Sequence, residues 1–159
     1  MMRKGLMIAA AALSLGGGAA LYAGAAEPMA DLAGYYARTW QSGDVGGGKY
    51  DVTDEVVIEP VDATHARISF ALNFFNGHTC ELDGVAELQG NKLVFTDPAE
   101  GWQGKSCKLE IWRQGKDLRW TDRNFGCHSY CGMRGTFTNM KMALKYRKPL
   151  SARPKPRED

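Results

Sequence analysis

An alternating run at residues 67–74 constrains the fold of this chain more than any other part of the sequence. Every second residue of the run is large and apolar, which is the pattern of a β-strand that turns one face to a core. Asn76-Gly77 follows almost at once, and this dipeptide favours a tight type I′ hairpin turn because both positions tolerate positive φ. The sequence therefore predicts an antiparallel hairpin here. The apolar positions are Ile68, Phe70, Leu72 and Phe74.

Further hairpins are predicted on the C-terminal side of this one. Residues 90–91 (Gly-Asn) and 115–116 (Gly-Lys) are two-residue turn signals, and each lies between runs that contain alternate apolar residues. Phe137 is the clearest core candidate of the last strand. These later strands are predicted over residues 79–88, 93–95, 107–112, 118–121 and 135–146.

Strands joined mainly by hairpins, with no convincing amphipathic helix between them, predict an all-β fold. We expect a single antiparallel meander that forms a small up-and-down, lipocalin-like barrel or a strongly curled sheet, because curling removes exposed strand edges. A two-layer sandwich is the alternative. Residues 32–40, in which Gly34 precedes two tyrosines, are similar to the first strand of lipocalin-like and avidin-like barrels.

The first 26 residues have the three parts of an export signal. Arg3 and Lys4 give a positive start, residues 6–15 are apolar, and residues 16–26 are small and contain Ala-x-Ala-like cleavage sites. Three consecutive glycines argue against a membrane-spanning helix, which needs a long apolar run. We therefore predict a signal peptide over 1–26, a β-domain over 27–146 and a periplasmic or secreted location, with no transmembrane segment after signal removal.

Residues 147–159 are predicted to form a disordered tail. The tail is basic and has three prolines between residues 148 and 156, and proline removes a backbone donor that helices and sheets need. The formal net charge of +2 is that of Arg3 and Lys4, so the predicted mature chain is neutral. Because a neutral chain lacks the basic surface that nucleic-acid binding needs, we expect no nucleic-acid partner.

Four cysteines in an exported domain predict two disulfides. They are Cys80, Cys107, Cys127 and Cys131. Pairing Cys127 with Cys131 closes the smallest ring and leaves the other two together. The register of the hairpin that turns at residues 115–116 instead brings Cys107 close to Cys127. The pairing stays open on sequence alone.

A Cys/His metal site is the alternative use of these residues. Zinc accepts thiolate and imidazole ligands. Only one close cysteine pair exists, however, whereas zinc motifs usually present two such pairs or two neighbouring histidines. An even number of cysteines also leaves no thiol for a nucleophile. We therefore predict no metal, no cofactor and no catalytic residue. The possible ligands are His78, Cys80, Cys127, His128 and Cys131.

The candidate interaction surface combines two loops. One contains Trp102, which lies between Gly101 and the nearby Gly104. An exposed large aromatic residue is a common anchor of contact surfaces. The other is the cysteine-framed segment at residues 127–135, in which His128, Tyr130 and Arg134 lie beside the cysteines. We expect the disulfides to make this segment a rigid platform.

Three short segments carry a family resemblance. They are Asn-Gly-His-Thr-Cys at 76–80, Cys-Lys-Leu at 107–109 and Cys-His-Ser-Tyr-Cys-Gly-Met-Arg-Gly at 127–135. Together they resemble an uncharacterised class of small exported proteins from Gram-negative bacteria, in which N-G-H-x-C, C-x-L and C-x-x-Y-C-G-x-R-G recur. Related segments accompany lysozyme-inhibitor-type domains in some envelope proteins. The resemblance implies export and an envelope-associated, inhibitor-like role, and it assigns no active-site residue.

The sequence as a whole predicts a non-enzymatic binding or interaction module of the periplasm. Its expected partner is an unknown protein or a small apolar ligand of the cell envelope. If the ligand is small, the protein is a lipocalin-like carrier, because the alternating Phe and Leu residues can line a barrel interior. A Cys/His metalloprotein is the remaining alternative.

Overall fold

The computed structural model describes residues 27–99 and 101–155, so the predicted signal peptide over 1–26 lies outside the described residues. No helix in the described ranges has the length and apolar character to cross a membrane. The elements are α1 (Glu27–Leu32), β1 (Gly34–Gly43), β2 (Lys49–Pro60), β3 (His65–Asn73), β4 (Thr79–Gln89), β5 (Lys92–Asp97), β6 (Cys107–Gln114), β7 (Asp117–Asp122), β8 (Met140–Ala143) and β9 (Arg147–Lys148).

The nine strands form one antiparallel sheet in the order β8-β7-β6-β5-β4-β3-β2-β1-β9. From β1 to β8, each strand pairs with the next one along the chain. The sheet is therefore a meander, and it curls into a nearly closed barrel. The predicted all-β, up-and-down architecture is confirmed, and the two-layer sandwich is wrong because all the strands belong to a single sheet.

The barrel interior is filled by inward-facing side chains. Along β3 every second residue is buried, from Ala66 to Leu72, as the alternating run predicts. The ring of Phe70 packs edge-on against Trp120 at 5.3 Å and against Phe137 at 5.7 Å between ring centroids. The centre of the barrel is thus occupied by the protein's own aromatic side chains.

The tight turns lie at the predicted positions. Residues 90–91 join β4 to β5, and residues 115–116 join β6 to β7. The connection from β3 to β4 covers residues 74–78 and is longer than the predicted two-residue turn. It is closed by the N–H of Phe74, which donates to the carbonyl of His78 at 2.7 Å. Asn76, inside this connection, has a positive φ of 63°, which is the conformation that makes the Asn-Gly dipeptide a turn signal.

The last predicted strand, over residues 135–146, is shorter than expected. Only Met140–Ala143 pair with β7, as β8. Residues 135–139 belong to the preceding connection, because a disulfide and backbone hydrogen bonds hold that connection across the end of the barrel. Phe137 is nevertheless buried in the core as predicted, since the connection passes over the open barrel end at this residue.

The segment from residue 147 was expected to be disordered, and its first residues instead belong to the fold. β9 pairs with the start of β1, and Leu150–Ala152 form a single 3₁₀ turn. Pro149 is tolerated because it follows an edge strand, where a missing N–H breaks no ladder. The guanidinium of Arg147 donates to the carbonyls of Ala30 at 2.6 Å and Asp31 at 3.2 Å. These bonds fasten β9 to α1.

Candidate functional site

The meander places four connections at the same end of the barrel. They are the β1–β2, β3–β4, β5–β6 and β7–β8 connections, because successive antiparallel strands reverse direction. This end, named here the loop end, consists of residues 44–48, 74–78, 98–99, 101–106 and 123–139. Five of the eight exposed large apolar residues in the described chain lie on it: Val45, Phe75, Trp102, Phe125 and Met133.

Both disulfides fasten the longest of these connections, residues 123–139. Cys127 is bonded to Cys107 at the start of β6, and Cys131 is bonded to Cys80 near the start of β4. The four cysteines are thus confirmed as disulfide residues. The pairing of Cys127 with Cys131, which closes the smallest ring, is wrong, and the pairing indicated by the β6–β7 register is correct.

The path of the connection explains why neighbouring cysteines do not pair. A 3₁₀ turn over Gly126–Tyr130 separates Cys127 from Cys131 and carries the chain from β6 toward β4. At the far side of this turn, Cys131 forms an isolated antiparallel bridge with Cys80. Each disulfide therefore links the connection to a different strand, and the connection lies across the barrel end.

A tight turn over residues 132–135 follows directly. The N–H of Gly135 donates to the carbonyl of Gly132 at 2.9 Å, and the N–H of Gly132 donates to the carbonyl of Thr79 at 2.7 Å. Gly135 also lies against the disulfide, where a Cβ atom would be only 2.6 Å from the Sγ of Cys80. A glycine is required here because any side chain would collide with the disulfide.

This turn presents two side chains to solvent. Met133 is 84% exposed, the largest value among the exposed large apolar residues. Arg134 is also exposed, and it forms no ion pair with any residue in the ranges 27–99 and 101–155. The turn therefore holds a flexible apolar side chain and an uncompensated positive charge on a fixed backbone.

Trp102 and His128, both predicted site residues, are brought into contact. Their ring centroids are 4.7 Å apart and their planes are nearly perpendicular. Trp102 nevertheless remains 45% exposed, whereas the Nδ1 of His128 is buried and has no hydrogen-bond partner among the described residues. The partly buried His128 ring thus packs against the Trp102 ring, and Trp102 is the member of the pair that faces solvent.

Two glycines allow the Trp102 loop and the cysteine-containing connection to touch through their backbones. A Cβ atom on Gly101 would lie 2.5 Å from the carbonyl oxygen of Gly126, and one on Gly126 would lie 2.0 Å from that of Ser106. The side-chain amide of Asn124 donates to the same Ser106 carbonyl at 3.0 Å. Sequence reasoning singled out Gly101 only as a neighbour of Trp102, and it missed Gly126, although Gly126 adjoins an aromatic residue.

Phe125 is a second exposed aromatic residue at this contact, and sequence reasoning missed it too. Its φ of 60° lies in the left-handed region, which a bulky side chain rarely adopts, and it is 52% exposed. The flanking backbone holds it there, since the N–H of Cys127 donates to the buried carboxylate of Asp122 at 2.7 Å. Strained residues of this kind concentrate at binding sites.

The partly buried side chain of Tyr130 contacts other residues of the protein. Its hydroxyl donates a hydrogen bond to the carboxylate of Asp97, and its ring packs edge-on against Phe95 with the centroids 6.4 Å apart. Burial, together with the hydrogen bond to Asp97, raises the pKa of Tyr130 to about 12. The same bond, with a backbone hydrogen bond from Ala99, lowers the pKa of Asp97. Tyr130 therefore anchors the connection, and Arg134 is the more accessible of the two predicted residues.

A separate polar cluster lies on the inner face of β1 and β2. Asp54 is buried and accepts hydrogen bonds from the guanidinium of Arg38 at 2.6 Å, the indole N–H of Trp40 at 3.0 Å and the backbone N–H of Asn73 at 2.8 Å. Both carboxylate oxygens are therefore satisfied. The cluster joins the first three strands, and we assign it a structural role.

The oxidised cysteines limit the chemistry of the loop end. A cysteine in a disulfide supplies neither a thiolate ligand nor a nucleophile, so the Cys/His metal hypothesis loses its sulfur ligands. Within residues 27–99 and 101–155, no three His, Cys, Asp or Glu side chains are arranged to hold a metal ion. Two disulfides in a small domain indicate an oxidising compartment outside the cytoplasm.

Comparisons of this chain with protein-family models, with curated proteins and with solved structures give no match. Any functional conclusion therefore depends on the geometry of the loop end. That geometry combines exposed Trp102, Phe125 and Met133 with a free cationic side chain, all on connections that disulfides and backbone contacts hold in place.

Proposed function

We propose that this protein is a periplasmic, non-enzymatic binding module that contacts its partner with the loop end. The observation that carries the proposal is the turn over residues 132–135, which is held by a hydrogen bond and by packing on a disulfide while it presents Met133 and Arg134 to solvent. A surface that is already ordered binds without the entropic cost of ordering its loops.

The residue types at the loop end support this function. Trp, Phe, Met and Arg are enriched in protein contact surfaces relative to other exposed positions, and binding residues commonly lie on loops that a rigid scaffold positions. Of the surface proposed from sequence, Trp102 and Arg134 are the exposed contact residues. His128 packs against Trp102, and Tyr130 anchors the connection through its hydrogen bond to Asp97.

A carrier of a small apolar ligand inside the barrel is the alternative function. The contacts of Phe70 with Trp120 and with Phe137 inside the barrel favour the surface mode, because a ligand would have to displace these rings. Native mass spectrometry of the protein isolated from its host distinguishes the two functions. A small molecule that copurifies in stoichiometric amount would favour the carrier.

The loop-end proposal is tested by photo-crosslinking in the native host. A benzoylphenylalanine is placed at Met133 or Phe125, and at Val61 and Val85 as matched controls. Both controls are exposed apolar positions, but Val61 lies in the β2–β3 connection at the opposite end and Val85 lies within β4. We expect specific adducts from the two loop-end positions only. Equal adduct patterns from all four positions, or none from the loop end, would contradict the proposal.

A further inference from the structure

Trp102 and Phe125 project from two loops that are locked together at their backbones. Gly101 precedes Trp102 and Gly126 follows Phe125, and these two glycines form the close backbone contact described above. The Cys107–Cys127 disulfide joins the same two loops one residue beyond Gly126. Two exposed aromatic side chains therefore leave the surface from adjacent points of a single cross-linked unit.

The backbone of this unit is restrained on both loops, and a ring contact also restrains Trp102. Gln103 and Phe125 both have positive φ, at 55° and 60°, and His128 supports the Trp102 ring at 4.7 Å. Such restraints remove the conformational freedom that an exposed aromatic side chain on a flexible loop would lose on binding. The backbone that carries both aromatic residues, and the ring of Trp102, are therefore preorganised before any ligand arrives.

The residues that flank the aromatic pair along the two segments are mostly polar. Within residues 101–106 and 123–129, Trp102 and Phe125 are the only exposed apolar side chains of the described residues. Arg123 is 72% exposed at its side chain, and its guanidinium lies 3.5 Å from the carboxylate of Glu110. The exposed polar side chains of the two segments are Gln103, Lys105, Ser106, Arg123, Asn124 and Ser129.

This combination favours one class of ligand. A pyranose ring has an apolar C–H face, which packs on the electron-rich face of an aromatic ring, and a rim of hydroxyls, which bond to amide and guanidinium donors. A protein hot spot instead needs neighbouring contacts that exclude water around the anchor, and the polar surroundings of Trp102 and Phe125 supply few of these.

Resting on the proposed function, we infer that the loop end binds a carbohydrate chain. Sugar rings stack on Trp102 and Phe125, and Gln103 and Arg123 bond to their hydroxyl or acidic groups. The ligand class is an oligosaccharide or polysaccharide made of pyranose units, which the oxidising compartments outside the cytoplasm contain in the form of envelope and surface glycans.

The test uses the full exported protein on an array of pyranose oligosaccharides from bacterial, plant and animal sources. Hits are quantified by isothermal titration with the soluble oligosaccharide. We expect Trp102→Ala and Phe125→Ala each to weaken binding by roughly tenfold or more, the loss that about 1.4 kcal/mol produces. Trp102→Phe should retain part of the affinity, because it keeps an aromatic face.

Phe75→Ala is the matched control, since Phe75 is an exposed aromatic residue of the loop end on a different connection. It should bind like the unchanged protein. Near-ultraviolet circular dichroism and the thermal midpoint report whether each variant remains folded. If Phe125→Ala is misfolded, Gln103→Ala and Arg123→Ala provide the test, with an expected loss of affinity in a folded protein.

Two outcomes would overturn the inference. One is an array on which no glycan binds above the level of the Trp102→Ala/Phe125→Ala double variant. The other is binding that Phe75→Ala weakens as much as Trp102→Ala. The crosslinking experiment separates this inference from the proposed function: protein adducts at the loop end together with a blank array would retain the binding module and exclude the carbohydrate.

Discussion

The phenol of Tyr130 donates a hydrogen bond to the carboxylate of Asp97 across the end of the barrel. Asp97 is the last residue of β5, and β5 lies between the two strands that carry Cys80 and Cys107 in the sheet. The connection from β7 to β8 is therefore attached to three successive strands, by a disulfide, a hydrogen bond and a second disulfide.

The hydrogen bond predicts a measurable loss of stability in Tyr130→Phe. Removing one hydrogen bond to a charged acceptor destabilises the folded state, and we expect a lower free energy of unfolding in urea at neutral pH. The control is a double-mutant cycle with Asp97→Asn, in which the two losses should not add, because both variants remove the same bond. Additive losses would contradict the pairing.

The stability difference between the protein and Tyr130→Phe should also depend on pH. The pKa of Asp97 is lowered from 3.8 in the folded state, so its contribution is present above that value and is lost as the pH falls through the lowered pKa. The pKa of Tyr130 is raised from 10 to about 12, so its contribution is present below pH 10 and is lost as the pH rises toward 12. The difference between the unfolding free energies of the two proteins, measured across this pH range, should be constant between the two limits and smaller outside them. A difference that stays constant from acid to alkaline pH would contradict this assignment.

Removing each disulfide should cost a different amount. The Cys80–Cys131 bond spans 51 residues and the Cys107–Cys127 bond spans 20. From loop-closure entropy we expect losses of about 4 and about 3 kcal/mol for the corresponding double alanine variants. The ranking is checked by guanidinium unfolding of both variants against the oxidised protein. An equal or reversed ranking would mean that contacts of the loop end, and not chain entropy, dominate.

Gly126→Ala should disturb the loop end through a steric clash. The new Cβ atom would lie 2.0 Å from the carbonyl oxygen of Ser106, so the two loops must separate, at a cost of about 1–3 kcal/mol. Gly104→Ala is the control, because Gly104 has a φ of 71° and open space around it, which leaves only backbone strain of about 1 kcal/mol. We expect Gly126→Ala alone to increase acrylamide quenching of tryptophan fluorescence, since Trp102 loses its support. Equal quenching in both variants would argue against the locked-loop geometry.

The buried carboxylate of Asp54 should be important for stability. Asp54→Ala leaves Arg38 without its ion-pair partner and the indole N–H of Trp40 without an acceptor. Breaking a buried pair costs about 3–5 kcal/mol, and we expect the lower end of this range because Arg38 is 35% exposed. Asp51→Ala, at an exposed position of the same strand, should change the unfolding free energy by less than about 0.5 kcal/mol. A similarly small effect of Asp54→Ala would show that the cluster is dispensable.

The regular part of the fold follows from local sequence signals. The burial of alternate residues in β3 and the turns at residues 90–91 and 115–116 depend on side chains close together in sequence, and local patterns report such features well. β9 was missed because it is only two residues long and is held by Arg147, whose partners lie in α1.

The loop end could be predicted only in part. Trp102 and Arg134 were recognised because their residue types and glycine neighbours mark exposed loops. Phe125 also has a glycine neighbour, Gly126, but its exposure depends on a left-handed backbone that the buried carboxylate of Asp122 and the contact of Gly126 with Ser106 maintain. These partners are distant or irregular in sequence, so no periodic pattern reports them.

The order of the cysteines along the chain has a consequence for biogenesis. The Cys80–Cys131 bond encloses the Cys107–Cys127 bond, so the first two cysteines of the chain, Cys80 and Cys107, are not a native pair. An oxidase that acts as the chain emerges meets Cys80 and Cys107 first, and joining them would trap a non-native crosslink that thiol–disulfide exchange must undo. We therefore expect the yield of this protein to depend on a disulfide isomerase, even though the folded form, once made, needs none.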